Sequence, residues 1–549
     1  MISDIIYITK FYLQKFASLH HIIHLIRLVT KKNYRNKYKE DISNIKKWHI
    51  NNGELLVDKT NKKHAVLFGW ASFDYALSES LIRLSLNKAG FSSVVYTAPI
   101  PIAKFIYSKF GLQISSFNKF MPFPSYIKAR KIVKSFKNSE DLIKYKFDGV
   151  AVGKYACSSF MRHTRSGRIN LKNNKQSQII SRYLAISISS AIAAKKMIEK
   201  TNPEKVIVID RGYTPFGEVF DICINNSIDI ITWNIAHKDN TIMLKRYNKG
   251  NKISHPSSLS SKTWSKLANM NWNNQISNNV LEELEYCYSS GEWYSEVGTQ
   301  FNKIQQTESE LSEKIGLDLD KKTAVIYAHI FWDATFFWGE DIFKDYEEWF
   351  IETVKSACSN KNLNWIIKVH PANLVKNYRD GIQDEPSEIS SLKNNIGQLP
   401  NHVKLISADS DISTWSLFNV MDYCLTVRGT VGIEAAMLGK TVLTAGTGRY
   451  DNHGFTLDFK NRDEFLKALQ NLHNLKKPSN SQELALKYAT GIFIDRPLNV
   501  RSFDISHKKD NYASLRSKLL VKDFRDLHNA KDISSVASWL ISNDEDFLN

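Results

Sequence analysis

"DYCLTVRGTVGIEAAMLGKTVLTAG", Asp422 to Gly446, decides the fold. "DYCLTV" is a short apolar, β-branched run of the kind a fully buried strand shows. "GIEAAMLG" is rich in helix formers and closes on a glycine, and "KTVLTAG" returns to the strand pattern. A strand, a helix and a strand in so short a span make a parallel crossover unit rather than a hairpin.

The turn between the first strand and the helix, Arg428-Gly429-Thr430-Val431-Gly432, begins a helix whose first amides have no intrahelical partner. Those donors and the helix dipole suit a phosphate. Gly429 and Gly432 permit close backbone approach, the Thr430 hydroxyl can donate and Arg428 can offset negative charge. Glu434, one turn on, can accept from a pair of ribose or sugar hydroxyls. The same residues also suit an ordinary turn with Thr430 as helix cap. The stretch is neither a Walker loop, lacking Gly-Lys-Ser/Thr, nor a GxGxxG turn.

Working outward, "TAVIYAHI" reads as a strand, "DYEEWFIETVKSACS" as a helix, "NWIIKVHP" and "HVKLI" as strands and "ISTWSLFNVM" as a helix. Lys368, His370 and Pro371 fall at the carboxyl end of one of these strands. A residue before proline is held extended, which places the His370 ring at a cleft rim, able to bond a phosphate or a base. Earlier in the chain, "HAVLFGW", "SSVVYTA", "KVIVID" and "IDIITWNIA" read as strands, with helices over Leu77–Ala89, "AISISSAIAAKKMIEKTNP" and "GEVFDICINNS" between them. The fold expected is α/β, with two doubly wound Rossmann-type domains facing a central cleft and helical extensions at both ends. The boundaries read as 1–58 for a basic amphipathic helical segment, 59–250 for a first α/β domain, 251–319 for a linker with a helical element, 320–500 for a second α/β domain and 501–549 for a helical tail.

With 549 residues, 43% apolar and 12% aromatic, the chain can bury two cores and is not a disordered protein. Its net charge of +18 is uneven: residues 1–50 hold ten basic and three acidic side chains. Such a terminus suits an anionic membrane surface or polyanionic glycan, and no base-reading nucleic-acid module is recognisable. Ile5, Ile6, Phe11, Tyr12, Phe16, Leu19, Ile22, Ile23 and Ile26 lie near one side of a helix that either rests on a bilayer or packs on the protein. No run reaches spanning length, and the five cysteines lack any zinc-like spacing, so a cytoplasmic location, with peripheral contact at the inner membrane left open, is expected.

"KVHP", followed some sixty residues later by "RGTVGIEAAMLGKTV", resembles the carboxyl-terminal domain of capsule polysaccharide biosynthesis proteins, a group related in layout to bacterial Kdo- and sialyltransferases of the GT-B fold. The resemblance implies that His370, Pro371, Thr430, Gly432 and Glu434 bind the nucleotide of a sugar donor. Kdo-transferase members typically carry serines where this chain has Arg428-Gly429-Thr430, so nucleotide and sugar stay open. GT-B enzymes take their base from the amino-terminal domain. There Asp210 ends "KVIVID" and is the favoured residue, with Glu218 at a helix start beside it and Asp74 behind them.

"AHIFWDATFFWGED" adds His329 and Asp333 as donor-side candidates, and its aromatic residues serve either sugar stacking or packing between domains. "GTGRYDNHGFT" reads as a cleft loop touching donor sugar or phosphate, or as a plain surface loop. Without a DxD triplet no metal is expected, nor any cofactor beyond the nucleotide sugar. The function expected is transfer of a sugar from a nucleotide donor to a surface polysaccharide or glycolipid acceptor. The alternatives are a nucleotide-sugar 2-epimerase of the same fold and a non-catalytic assembly or export component.

Overall fold

The computed structural model describes residues 2–46, 63–69, 73–333, 335–511, 513–521 and 524–549. The lysine-rich connector and the Asp74 side chain lie outside the described residues. Among the described residues, fifteen strands form two large sheets and one hairpin. The first sheet contains β1 (Lys63–Phe68), β2 (Phe91–Tyr96), β3 (Gln113–Ser115), β4 (Lys205–Val208), β5 (Asp229–Ile235) and β6 (Thr241–Tyr247). The second contains β7 (Thr323–Tyr327), β8 (Asn364–Lys368), β9 (Val403–Ile406), β10 (Tyr423–Thr426), β11 (Thr441–Thr444) and β12 (Leu457–Asp458).

Across the second sheet the order is β12-β11-β10-β7-β8-β9, and every pair is parallel. The first runs β6-β5-β4-β1-β2-β3, parallel except that β6 returns antiparallel to β5. Both halves therefore share one doubly wound order, which reverses direction beside its first strand. Ligands bind there, outside the carboxyl ends of the strands. β6 was not anticipated from the sequence, since "TIMLKRY" mixes charge with apolar residues. Its Lys245 is nevertheless buried, paired with Asp546 at 2.9 Å.

Each half packs helices on both faces of its sheet. The long helix Asn174–Thr201 starts where the Asn173 side chain accepts the amides of Lys175 and Gln176, and stops at a left-handed Asn202 before Pro203. Its serines and alanines let it lie close to the helix Val152–Thr164. Burying such faces, at about 25 cal/mol per Å2 of apolar area, is the main favourable term for both halves.

The terminal segments differ from expectation. The amino-terminal region is three helices, Ile2–Leu13, Ala17–Thr30 and Lys32–Lys46, rather than one. The first docks on the protein through Ile8 and an Asp4–Arg182 ion pair. The carboxyl-terminal segment is not wholly helical. β13 (Leu498–Asn499) pairs with β6, then β14 (Phe503–His507) and β15 (Leu515–Leu519) form an antiparallel hairpin. The final helix Lys531–Ile541 packs on the helix Phe73–Lys88 of the first half.

Candidate active site

A cavity of about 540 Å3 lies between the carboxyl edges of the two sheets, a size that holds a nucleotide-scale ligand. The second half lines it with His329, Asp333, Lys368, His370, Pro371, Arg428, Gly429, Thr430, Glu434 and Arg449, and the first half with Asp210 and Arg211. The linker adds His255, Tyr288 and Tyr294.

The 428–432 turn leads into the short helix Val431–Met437. Gly429 N–H donates to the Thr426 hydroxyl, and the amides of Gly432 and Ile433 close on the carbonyls of Gly429 and Thr430. The amides of Thr430 and Val431 make no hydrogen bond among the described residues, and both residues border the cavity. Thr430 does not cap the helix with its side chain.

Gly432 is a correction to the sequence reading. It stands outside the cavity, and a side chain there would run into the Tyr450 ring, so its smallness serves packing. Arg428 is a second correction. Its guanidinium is 3% exposed and is bound by the Asp341 carboxylate and the carbonyls of Trp338 and Glu340, so it braces the wall instead of reaching a ligand freely. Glu434 accepts from the Tyr288 hydroxyl, and burial pushes its carboxyl up to about 7.

The histidines are set by local donors. Ala372 N–H donates to Nδ1 of His370 at 3.2 Å, so the neutral ring carries its proton on Nε2. Burial first, then the neighbouring Lys376, lowers the ring to about 4. It is therefore a neutral donor at pH 7. His329 has the opposite arrangement: Val427 N–H donates to its Nε2, which also lies 3.0 Å from the Thr426 hydroxyl. Lys368 is almost fully buried, near the Ile412 carbonyl, and burial lowers its ammonium to about 7.

Positive charge gathers on one wall. Burial holds His255 neutral, and the guanidiniums of Arg449, Arg428, Arg211 and Arg496 all push its titration the same way. Arg496 is paired with Asp546 and Arg428 with Asp341. Among the described residues, Arg211 is held by the carbonyls of Lys252 and Ser254, and Arg449 by the Arg428 carbonyl and the Tyr294 hydroxyl. Arg211 stacks on Phe220, Tyr247 and Trp338 at 4.6, 4.3 and 4.5 Å. Neither guanidinium has a carboxylate within ion-pair distance among the described residues, although Asp221 and Asp210 act on Arg211 from farther off, and such cations on a low-dielectric wall attract an anion.

Three loops build that wall. Gly339 N–H donates to Ile253 O at 2.8 Å, His255 N–H to Gly448 O at 2.7 Å and Thr447 N–H to Glu340 O at 2.9 Å. Gly339 and Gly448 have φ of +62° and +92° and meet backbone to backbone, so a side chain at Gly339 would strike the Thr447 carbonyl. Arg449 leaves this junction, and sequence reasoning did not single it out. The signal available was an arginine flanked by the glycine turn of "GTGRYDNHGFT". Asp451, in the same stretch, accepts the amides of Gly448 and Arg449, and His453 packs on Trp264 and Tyr488.

Of the carboxylates, Asp210 follows β4 and borders the cavity, with Oδ1 accepting the amides of Arg211 and Gly212. Burial raises its titration against those bonds and Arg162. Asp333 shows the reverse: burial is outweighed by Lys376 and Arg162, its carboxyl is held well below the usual range, and Tyr213 donates to it at 2.6 Å. Glu218 is a third correction. It is fully buried away from the cavity, against Ser187 of the long helix, and burial raises it to about 8. Phe331 lies in the core of the second half, Trp332 and Phe337 pack between the halves with Phe337 also lining a neighbouring recess, and Trp338 alone of that aromatic run borders this cavity.

One trio among the described residues, His237, Glu283 and Cys287, lies close enough to hold a cation. The Lys238 ammonium already sits 2.6 Å from the Glu283 carboxylate, which disfavours a metal there.

Residues 281–493 match the family described as capsule polysaccharide biosynthesis protein. A comparison with curated proteins gives no match. Among solved structures, the Thermosulfurimonas dismutans KpsC beta Kdo 2,4 transferase is 13% identical, covering 59% of this chain and 86% of that one with a TM-score of 0.33. Its beta Kdo 2,7 transferase is 14% identical over 59% and 85%, TM-score 0.31. UDP-GlcNAc 2-epimerase from Neisseria meningitidis, bound to UDP-GlcNAc, is 13% identical over 77% and 97%, TM-score 0.26. Likenesses this distant carry no argument about the reaction.

Proposed function

We infer that the protein transfers a sugar from a nucleotide-linked donor to a surface polysaccharide or lipid-linked acceptor, of capsular or lipopolysaccharide type. The observation that carries this reading is the anion-seeking wall of the central cavity. Two unengaged amides at Thr430 and Val431 stand beside the Nε2 donor of His370 and the guanidinium of Arg449. Glycosyl transfer releases a nucleotide phosphate, and donors fixed in advance around that charge lower the barrier most. On the opposite rim, Asp210 is a carboxylate whose raised affinity for a proton suits a general base. In the transfer step the acceptor oxygen bonds to the anomeric carbon, the bond to the donor phosphate breaks and the hydroxyl proton passes to Asp210.

Contact with a bilayer fits the same reading. Ile22, Leu25, Ile26 and Val29 are exposed on the second amino-terminal helix, next to Arg27, Lys31 and Lys32. No helix among the described residues is long and apolar enough to cross a membrane.

Thermal-shift measurements with CMP, UDP, GDP and dTDP test the donor half, since a nucleotide that binds only the folded state raises Tm. Binding of one of them, followed by sugar transfer only when a glycolipid extract is added, is the expected result. Sugar conversion without acceptor would identify a 2-epimerase, and absence of binding to all four would leave an assembly component.

A further inference from the structure

A second cavity, of about 470 Å3, opens on the first half beside the shared Arg211. Its floor is apolar: Phe337 stacks on Tyr155 at 5.4 Å with a 5° angle between the rings, and Phe220 and Ile224 complete it. Its walls are basic. Lys144, Lys146, Lys154 and Lys252 line it together with Arg211, against the single carboxylate of Asp221.

None of the four lysines pairs with a carboxylate within 4.0 Å among the described residues. Asp221 is already engaged by the Ala151 amide at 2.9 Å. Arg211 is 3% exposed, and its buried Nε has no hydrogen-bond partner. Lys154 lies 5.5 Å from the Phe337 ring; burial first lowers its titration, Asp221 opposes that, and Arg211, Lys252 and Lys146 lower it further. So much unpaired positive charge round one recess destabilises the empty protein unless an anion shares it.

We propose that this recess is the acceptor subsite for a sugar carrying a negative group, a phosphate or a carboxylate, whose apolar face rests on Phe337 while its anion is held by Lys154, Lys252 and Arg211. The size suits one or two sugar units rather than a nucleic-acid strand. Arg211 follows Asp210 directly and borders both cavities, so an acceptor anchored here stands next to the base. The inference rests on the glycosyl-transfer reading and names the acceptor class for it.

Isothermal titration with mannose 6-phosphate, glucuronic acid and glucose, alongside the nucleotide found by thermal shift, tests it. Binding of one or both anionic sugars but not glucose is expected, and which of the two binds tells phosphate from carboxylate. Lys154→Gln and the exposed Lys252→Gln should each weaken that binding about tenfold or more, with nucleotide affinity unchanged. Equal binding of glucose, no binding of either anionic sugar, or anionic-sugar binding that both variants leave intact would overturn the subsite while nucleotide binding stands. Loss of nucleotide binding in the unaltered protein would instead overturn the broader reading.

Discussion

The two halves carry the same strand order and present opposite chemistry at their carboxyl edges. The second half offers main-chain amides, neutral imidazoles and an arginine at the 426–449 edge. The first offers a carboxylate with raised proton affinity, Asp210, and a recess walled by lysines. On the transfer reading proposed above, one half would receive the leaving anion and the other would activate and anchor the group attacking it. The difference lies in the loops and in the first turns of the helices that follow them.

That division makes Asp210→Asn the most damaging substitution for activity. Transfer should fall by about 10²–10⁴-fold, as removal of a general base does, while nucleotide binding followed by titration calorimetry stays unchanged. Arg428→Met should cost the fold most. It leaves Asp341 without its partner at the wall, and about 3 kcal/mol of stability should be lost in chemical denaturation.

Arg449→Gln sharpens the contrast from the other side, weakening nucleotide binding about tenfold with Tm nearly constant. A subtler effect separates Glu218 from the site. Its folded-state titration, raised by burial to about 8 from 4.5, means that its stabilising protonated form is complete below about pH 4.5 and lost as pH rises through 8. Glu218→Gln should therefore melt like the parent at pH 5, melt higher at pH 9 and keep its transfer activity. The smallest effect is expected at the exposed amino-terminal helix. Ile22→Ser with Ile26→Ser should leave Tm within a degree or so, as exposed positions do, yet reduce sedimentation with vesicles containing anionic lipid.

Much of the second half was readable in the sequence because parallel strands buried on both faces appear as unbroken apolar runs such as "DYCLTV" and "NWIIKV". The placement of His370 and Thr430 followed from strand ends. The orientation of a helix about its own axis does not follow from strand ends, which is why Glu218 was expected at the cleft and stands against Ser187 instead. Arg428 misled for a related reason: its partner Asp341 is remote in sequence, and nothing local shows the pair. The lysine recess joins residues from positions 144 to 252, each an ordinary surface lysine when read alone. Arg449 was legible only as part of a loop.

The path of the last fifty residues bears on how the polypeptide can be divided. β13 extends the first sheet, Lys531–Ile541 covers Phe73–Lys88, and Asp546 neutralises Lys245 and Arg496 in the interior. Cutting the gene at the linker would therefore not release an autonomous first module. It would strand the interior cation Lys245 and bare a greasy helix flank, so complementation by co-expressed pieces requires the tail to travel with the amino-terminal piece.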